Sequence, residues 1–474
     1  MLGRIRCNDY HLAVHIASDM GLGYTAQPKF IGANLRVKAL RMKNRLLFGD
    51  CFSRGVLVAA LATATVLTLF AGSSTKSSNQ IDQVLREAVD QKKLPGVVAM
   101  VANADGVVYQ GASGKRNTAK NAPMTVDSIF RIASMTKPIT SVAVLQLVES
   151  GRVKLDEPAA AYLPELSQVQ VLEEFDAKTG KAKLRPPKTP PTVRQLLSHT
   201  SGFAYEFFDP KLHGYVASGA VPSASQGDDG FLKAPLLFDP GTRWEYGIST
   251  DWLGKLVEKV SGQTLEEYFR QHIFQPLGMT DTFFNVPPEK QARVVAIYQG
   301  QQDGSFLESP SQPFKPVRFF SGGGGLYSTA GDYLKFARML LGGGKLGDRR
   351  ILQSETVAQM SRNQIGDLIL GELRSQVPQF AKDRIRIPGS LDKFGLGLAI
   401  NTKPVEGGRS LGSLAWAGIF NTFFWIDPPR KTCAVIMMQI LPFSDDAAYS
   451  VVEHFERAVY VTAAETVAPA RRTN

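Results

Sequence analysis

Ser134 and Lys137 stand three residues apart in FRIASMTKPITSVAVLQLVESG, which puts a nucleophile and a base on one face of a helix. A serine hydroxyl is a weak nucleophile until a neighbouring base takes its proton, and a lysine amine serves as that base once burial disfavours its charged form. Pro138 has no backbone N–H, which is harmless only in a first helical turn, so the proline sets Ser134 at the helix N-terminus. There the helix dipole and free N–H groups favour an oxyanion. Spacing alone is weak evidence, because Ser73 with Lys76 and Ser390 with Lys393 repeat it. The first of these lies in a polar stretch and the second in a Gly/Asp-rich loop, so Ser134 is the serine of the three that opens an apolar helix.

Other chemistries find less support. A Ser-His-Asp triad would draw on His199, His213, His272 or His454, but no nucleophile elbow presents a serine to them, since the literal G-x-S-x-G at 408–412 runs into the apolar run SLAWAGIF and not into a helix pattern. His199, just after the apolar pattern VRQLL, reads as a hydrogen-bonded structural histidine. SGGGG at 321–325 lacks the Lys-Ser/Thr of a phosphate loop and reads as close backbone packing near the site. Cys7, Cys51 and Cys433 lack C-x-x-C or zinc-ligand spacing, and Cys433 in TCAVIMMQI reads as a buried, inert thiol. Neither a metal nor another cofactor is expected.

The elements that must position the serine follow from periodicity. Apolar positions 81, 84, 85 and 88 recur at helical spacing. VVAMVAN and VVYQGAS, joined by Ala104, Asp105 and Gly106, read as a hairpin. The chain closes on strands NTFFWID and TCAVIMMQI and the helix SDDAAYSVVEHFERAV. The expected class is α/β (α+β): one antiparallel sheet built from both chain ends and flanked by helices, with a mostly helical lobe from the middle. Loops at 170–190, 205–232 and 364–392 are expected to shape a substrate pocket.

The net charge of +11 is uneven: residues 1–72 hold nine Lys or Arg against three acids. The rest of the chain has no basic run interleaved with aromatics, which argues against nucleic acid. Residues 55–71, GVLVAALATATVLTLFA, follow a basic flank and precede a polar exit. They read as an export signal or short membrane anchor, with Met42 as an alternative start and a buried helix as the competing reading. The expected organisation is an N-terminal extension over 1–78 and a hydrolase domain over 79–465. The protein would be exported or membrane-anchored, and periplasmic if bacterial.

The segment DSIFRIASMTKPITSVAVLQLVESGRVKLDEPAAAYLPE resembles the serine β-lactamase-like superfamily: class C β-lactamases, D-alanyl-D-alanine peptidases and related carboxylesterases. TVRQLLSHTSGF (192–203), FQPLGMTDT (274–282), GGGGLYSTAGDYLKFARMLLGGG (322–344) and FGLGLAI (394–400) continue the resemblance in the family's order. It implies a catalytic cleft between sheet and helical lobe with Ser134 at its floor. A second family motif, a tyrosine two residues before an asparagine, matches RWEYGISTDWLG with Tyr246 present and Ile248 in place of the asparagine. Tyr246 thereby takes the implied role of general base and proton relay with Lys137. The third motif, Lys-Thr-Gly in many members, matches Trp416, Ala417 and Gly418, with the Ile419 N–H as the implied second oxyanion donor beside that of Ser134. A literal Lys178-Thr179-Gly180 precedes the tyrosine motif in a charged loop and reads as chance.

Trp416 offers no positive charge for a substrate carboxylate, and an apolar wall favours esters with an apolar acyl or alcohol part. The resemblance therefore implies a serine hydrolase acting on small-molecule esters through an acyl-enzyme, with weak β-lactam hydrolysis as a side activity. A β-lactamase or D-Ala-D-Ala carboxypeptidase acting on amides, and a non-catalytic penicillin-binding-like protein, remain as alternatives.

Overall fold

The structure, a computed structural model, describes residues 79–465 apart from 92, 312 and 384–390. The 55–71 run, the 1–78 extension, Cys7, Cys51, Ser73 with Lys76, and Ser390 lie outside the described residues. Among those described, no helix is long and apolar enough to cross a membrane.

Helix α1 (79–90) buries Ile81, Leu85 and Ala88, the spacing its sequence sets. It leads into β1 (Gly96–Asn103), and the expected hairpin to β2 (Val107–Asn117) forms. The Asn103 carboxamide closes that turn by accepting from the Asp105 and Gly106 N–H groups. After the short β3 (Ala122–Pro123), the other five strands of this sheet come from the far end of the chain. They are β4 (Leu391–Phe394), β5 (Ala399–Asn401), β6 (Leu414–Gly418), β7 (Thr422–Asp427) and β8 (Thr432–Met437). The order β4-β5-β6-β7-β8-β1-β2-β3 is antiparallel throughout, and the β1–β8 pairing, with Val98 opposite Met437, joins the two chain ends.

Strand β7 shows why these runs are continuously apolar. Successive side chains of a strand point to opposite faces, and both faces of β7 are covered. Phe424 packs on Tyr333 of helix α4 (Ala330–Leu341), with ring centroids 4.9 Å apart. Phe423 and Trp425 on either side of it pack on Tyr449 and Phe455 of helix α5 (Asp446–Glu465). Trp425 also donates its indole N–H to Tyr460, and the buried Arg409 is clamped by Glu456 at 2.7 Å. Cys433 on β8 is buried and its thiol is pushed up to about 12 by burial, as an inert core residue should be.

In the helical lobe, α2 (Thr136–Glu149) is buried nearly all round and ends at Gly151, whose φ is +73°. Helix α3 (Ser249–Ser261) packs against it. One expectation needs correction: residues 170–190 are largely a β-hairpin, Val171–Asp176 with Lys181–Arg185, rather than an irregular pocket loop. Its alternation was hidden because strand Lys181–Arg185 is exposed on both faces.

Candidate active site

Ser134 sits in a single 3-10 turn, Ala133–Met135, that feeds α2, with Pro138 in the helix's first turn as its missing N–H requires. The turn is strained: Ala133 has φ +43°, which costs a residue with a Cβ roughly 1–3 kcal/mol. Surrounding bonds hold it. The Ile132 N–H donates to Leu326, the Tyr333 hydroxyl to the Met135 carbonyl at 2.8 Å, and the Leu326 N–H to Thr136 Oγ1. The two-residue strands Phe130–Arg131 and Tyr327–Ser328 pair directly beside it.

Lys137 is 1% exposed, and its Nζ has three bonds: to the Gly323 carbonyl at 2.7 Å, Tyr205 OH at 3.0 Å and Ser134 Oγ at 3.3 Å. The glycine run is packed backbone, as its sequence suggests. It does more, since the Gly322 carbonyl accepts from Thr140 Oγ1 and the Gly323 carbonyl from the lysine.

Tyr246 donates its hydroxyl to Ser134 Oγ at 2.6 Å. Its loop presses so closely on Phe203 and Ala204 that a Cβ at Gly247 would lie 2.4 Å from the Ala204 backbone. The ring is held edge-on by His199, Tyr205 and Trp416, with centroids 5.1–5.3 Å away. Ile248 is 2% exposed, so the position where the family motif implies an asparagine holds an apolar core residue.

Strand β6 pairs with β7 along its whole length but with β5 only at Leu414 and Ala415. Trp416–Gly418 is therefore an open edge, and it lies beside the Ser134 turn. At Gly418 a Cβ would meet the Ile132 carbonyl at 2.3 Å, so only glycine allows the approach. Trp416, Ala417, Gly418 and Ile419 line the same cavity as Ser134 and Tyr246. Trp416 packs on Tyr246 and Phe394, and its indole N–H has no partner among the described residues.

The cavity has a volume of about 450 Å³ and walls rich in aromatics, including Phe207, Phe208, Phe231, Phe319 and Phe443. Its charged lining groups are Arg131, Asp228 and Asp251. Segments 205–232 and 364–392 contribute as expected, through Phe207 and Phe231 and through Leu373 and Phe380, whereas no residue of 170–190 is in the lining.

His199 differs in detail from its reading as a hydrogen-bonded residue. Its Nδ1 has no partner among the described residues, and the ring is enclosed by Trp244, Tyr246 and Phe394. Burial, then the Lys137 charge, holds it well below the ordinary histidine range, so it is neutral. Its role is to place Tyr246: with φ +57° its carbonyl accepts the Glu245 N–H at 2.9 Å. His213, His272 and His454 are absent from the cavity lining. The decoy motifs also fall elsewhere. Lys393 donates to the Gly366 and Leu368 carbonyls, and Lys178-Thr179-Gly180 forms a hairpin turn tied by Asp176.

Sequence reasoning missed Tyr205, Asp251 and the Gly323 carbonyl. Asp251, 2% exposed, accepts from Ser321 Oγ at 2.6 Å and the Gly323 N–H at 3.0 Å. Its sequence carried no distinguishing signal, since an acid after Ser249 and Thr250 in a first helical turn fits the helix dipole.

Comparison with known proteins agrees with this geometry. The family model described as Beta-lactamase matches residues 81–455. Monacolin J acid methylbutanoyltransferase of Aspergillus terreus is 33% identical over 398 residues, covering 80% of this chain and 95% of that protein. The lovastatin esterase of Penicillium rubens is 31% identical over 394 residues, covering 80% and 98%. Unliganded simvastatin synthase from Aspergillus terreus superposes with a TM-score of 0.69 at 32% identity, over 81% of this chain and 98% of that one. The large antiparallel sheet, the helical lobe and the matched sequence together place the chain in the β-lactamase family, with relatives among its acyltransferases and esterases.

Proposed function

We propose that the protein is a serine esterase that acts through an acyl-enzyme on Ser134 and takes esters with a bulky apolar acyl or alcohol part. The observation that carries this reading is Ser134 Oγ lying between Tyr246 OH at 2.6 Å and Lys137 Nζ at 3.3 Å, at the wall of an aromatic cavity. Ser134 attacks the ester carbonyl, and Tyr246 and Lys137 between them take the hydroxyl proton and deliver it to the departing alcohol. The Ser134 and Ile419 N–H groups hold the oxyanion. Water then enters and the same groups run the step in reverse, releasing the acid. No metal or other cofactor takes part in these steps.

Acyl transfer to a second alcohol instead of water is the second reading, and the name of the methylbutanoyltransferase relative favours it. β-Lactam or D-Ala-D-Ala cleavage is disfavoured by an indole where the resemblance to β-lactamases and peptidases implies a lysine. The decisive panel compares p-nitrophenyl esters of short and medium chains with nitrocefin and a D-Ala-D-Ala peptide, with and without an added alcohol acceptor. Ser134→Ala should abolish ester turnover and fluorophosphonate labelling, while Ser73→Ala and Ser390→Ala keep both. Labelling of Ser134→Ala at the wild-type rate would sink the assignment. Export or anchoring through 55–71 is proposed on its sequence pattern, and cell fractionation with and without that segment tests it.

A further inference from the structure

The site contains a buried carboxylate that the reaction outlined above does not use. Asp251 stands in the first turn of α3, and its Oδ1 accepts from two neutral donors, Ser321 Oγ and the Gly323 N–H. Gly323 links it to the lysine: the N–H of this residue is held by Asp251 while its carbonyl accepts from Lys137 Nζ at 2.7 Å. A Cβ there would lie 2.3 Å from Asp251 Oδ2, so the approach requires glycine. On the other side the carboxylate faces Tyr205, whose hydroxyl accepts from Lys137 at 3.0 Å. Burial, then the charge of Asp251, keeps that phenol well above the ordinary tyrosine range, so it stays protonated. Burial raises the Asp251 carboxyl itself, opposed by the Lys137 charge and the bonds from Ser321 and Gly323.

We propose that Asp251 is a positioning residue for Lys137. Through Gly323 and Tyr205 it aims the Lys137 amine and sets a carboxylate beside it. The inference rests on Ser134 being the nucleophile. The other titratable groups around the amine are Tyr205 with Glu206 beyond it, Tyr246, and His199, which burial keeps neutral.

The test is the pH dependence of fluorophosphonate labelling at Ser134, which needs no knowledge of the natural substrate. Asp251→Asn keeps an acceptor for Ser321 and Gly323 but removes the charge from the amine's surroundings. The acid limb of the labelling profile should move to lower pH by about one unit. Tyr205→Phe keeps the ring stacked on Phe207 and removes only the hydroxyl, and it should move the limb the same way by less. An Asp251→Asn protein that melts like wild type and labels with an unchanged profile overturns the proposal. If Asp251→Asn does not fold, Tyr205→Phe decides, and an unchanged profile there overturns it equally. A wild-type protein that labels elsewhere than Ser134 would instead refute the nucleophile assignment, so the two failures are distinguishable.

Discussion

Replacing Tyr246 by phenylalanine deletes one oxygen, the one that lies 2.6 Å from Ser134 Oγ. Moving a proton in the transition state through a positioned side chain is worth about 10²–10⁴ in rate, or about 3–5.5 kcal/mol of barrier. The fold should hardly notice the change. The phenyl ring keeps its edge-on contacts with His199, Tyr205 and Trp416, so the loss is that of one hydrogen bond, about 1 kcal/mol. In a domain of this size that lowers Tm by no more than about 2–4 °C. The assay is kcat and KM on p-nitrophenyl butyrate, with stopped-flow acylation bursts and a thermal melt of the same preparation. We expect kcat to fall by at least about 100-fold with KM nearly constant, because the hydroxyl acts on a proton and not on the bound acyl group. Tyr205→Phe should lose far less, since that hydroxyl reaches Lys137 and not the serine. A Tyr246→Phe enzyme within threefold of wild type and with its Tm unchanged would refute the relay.

Trp416→Leu removes the ring that packs on Tyr246 and Phe394; relative kcat/KM for bulky over acetyl esters should fall about 10- to 200-fold, as measured across an ester series. Glu245, next to Tyr246, is pushed up to about 7 from an ordinary 4.5, with burial the leading cause. Below pH 4.5 it is protonated folded or unfolded; as pH rises toward 7 the unfolded chain ionises first, so stability is lost, by up to about 3 kcal/mol. Glu245→Gln should remove that loss, and denaturant midpoints at pH 4.5 and pH 8 should lie closer together than in wild type. Glu456→Gln leaves the buried Arg409 guanidinium short of its counter-charge and should cost about 3–5 kcal/mol in chemical denaturation, without changing KM.

The parts of the site that could be read in the sequence are those whose physics is local. Ser134 and Lys137 are three residues apart, and Pro138 fixes where their helix starts, so the pair is legible from one segment. The sheet was legible because apolar runs at both ends of the chain exceed what one covered face would need. Tyr246 was different: it meets a serine 112 residues away, and only resemblance singled it out from Trp244 beside it. Asp251 and Tyr205 stayed hidden for the same reason. An acid in a first helical turn reads as a match to the helix dipole, and a tyrosine in AYEFF reads as core. Nothing local says that both converge on Lys137 with a glycine carbonyl from residue 323. His199 is structural, as read, but its ring is enclosed by Trp244, Tyr246 and Phe394 from other segments, which no local signal could show.

The division between shared chemistry and individual specificity also follows from the geometry. The amine of Lys137 has three donors when protonated and finds three acceptors, so its surroundings are saturated and leave little room for variation. The cavity wall beside it is held less tightly: Trp416 packs on Tyr246 and Phe394 but sits on an open strand edge and lines the cavity. An apolar group that buries about 100 Å² against that wall gains about 2.5 kcal/mol. A carboxylate brought to the same indole would shed water and gain no cationic partner from Trp416, which leaves Arg131 as the cationic side chain in the cavity lining; unpaired, it would cost several kcal/mol. One residue on the edge strand can therefore shift preference from carboxylate-bearing amides to apolar esters by several orders of magnitude while Ser134, Lys137 and Tyr246 keep the same bonds. On the proposed reading, specificity in this chain is set at the β6 edge, and the acyl-transfer machinery need not change for the substrate to do so.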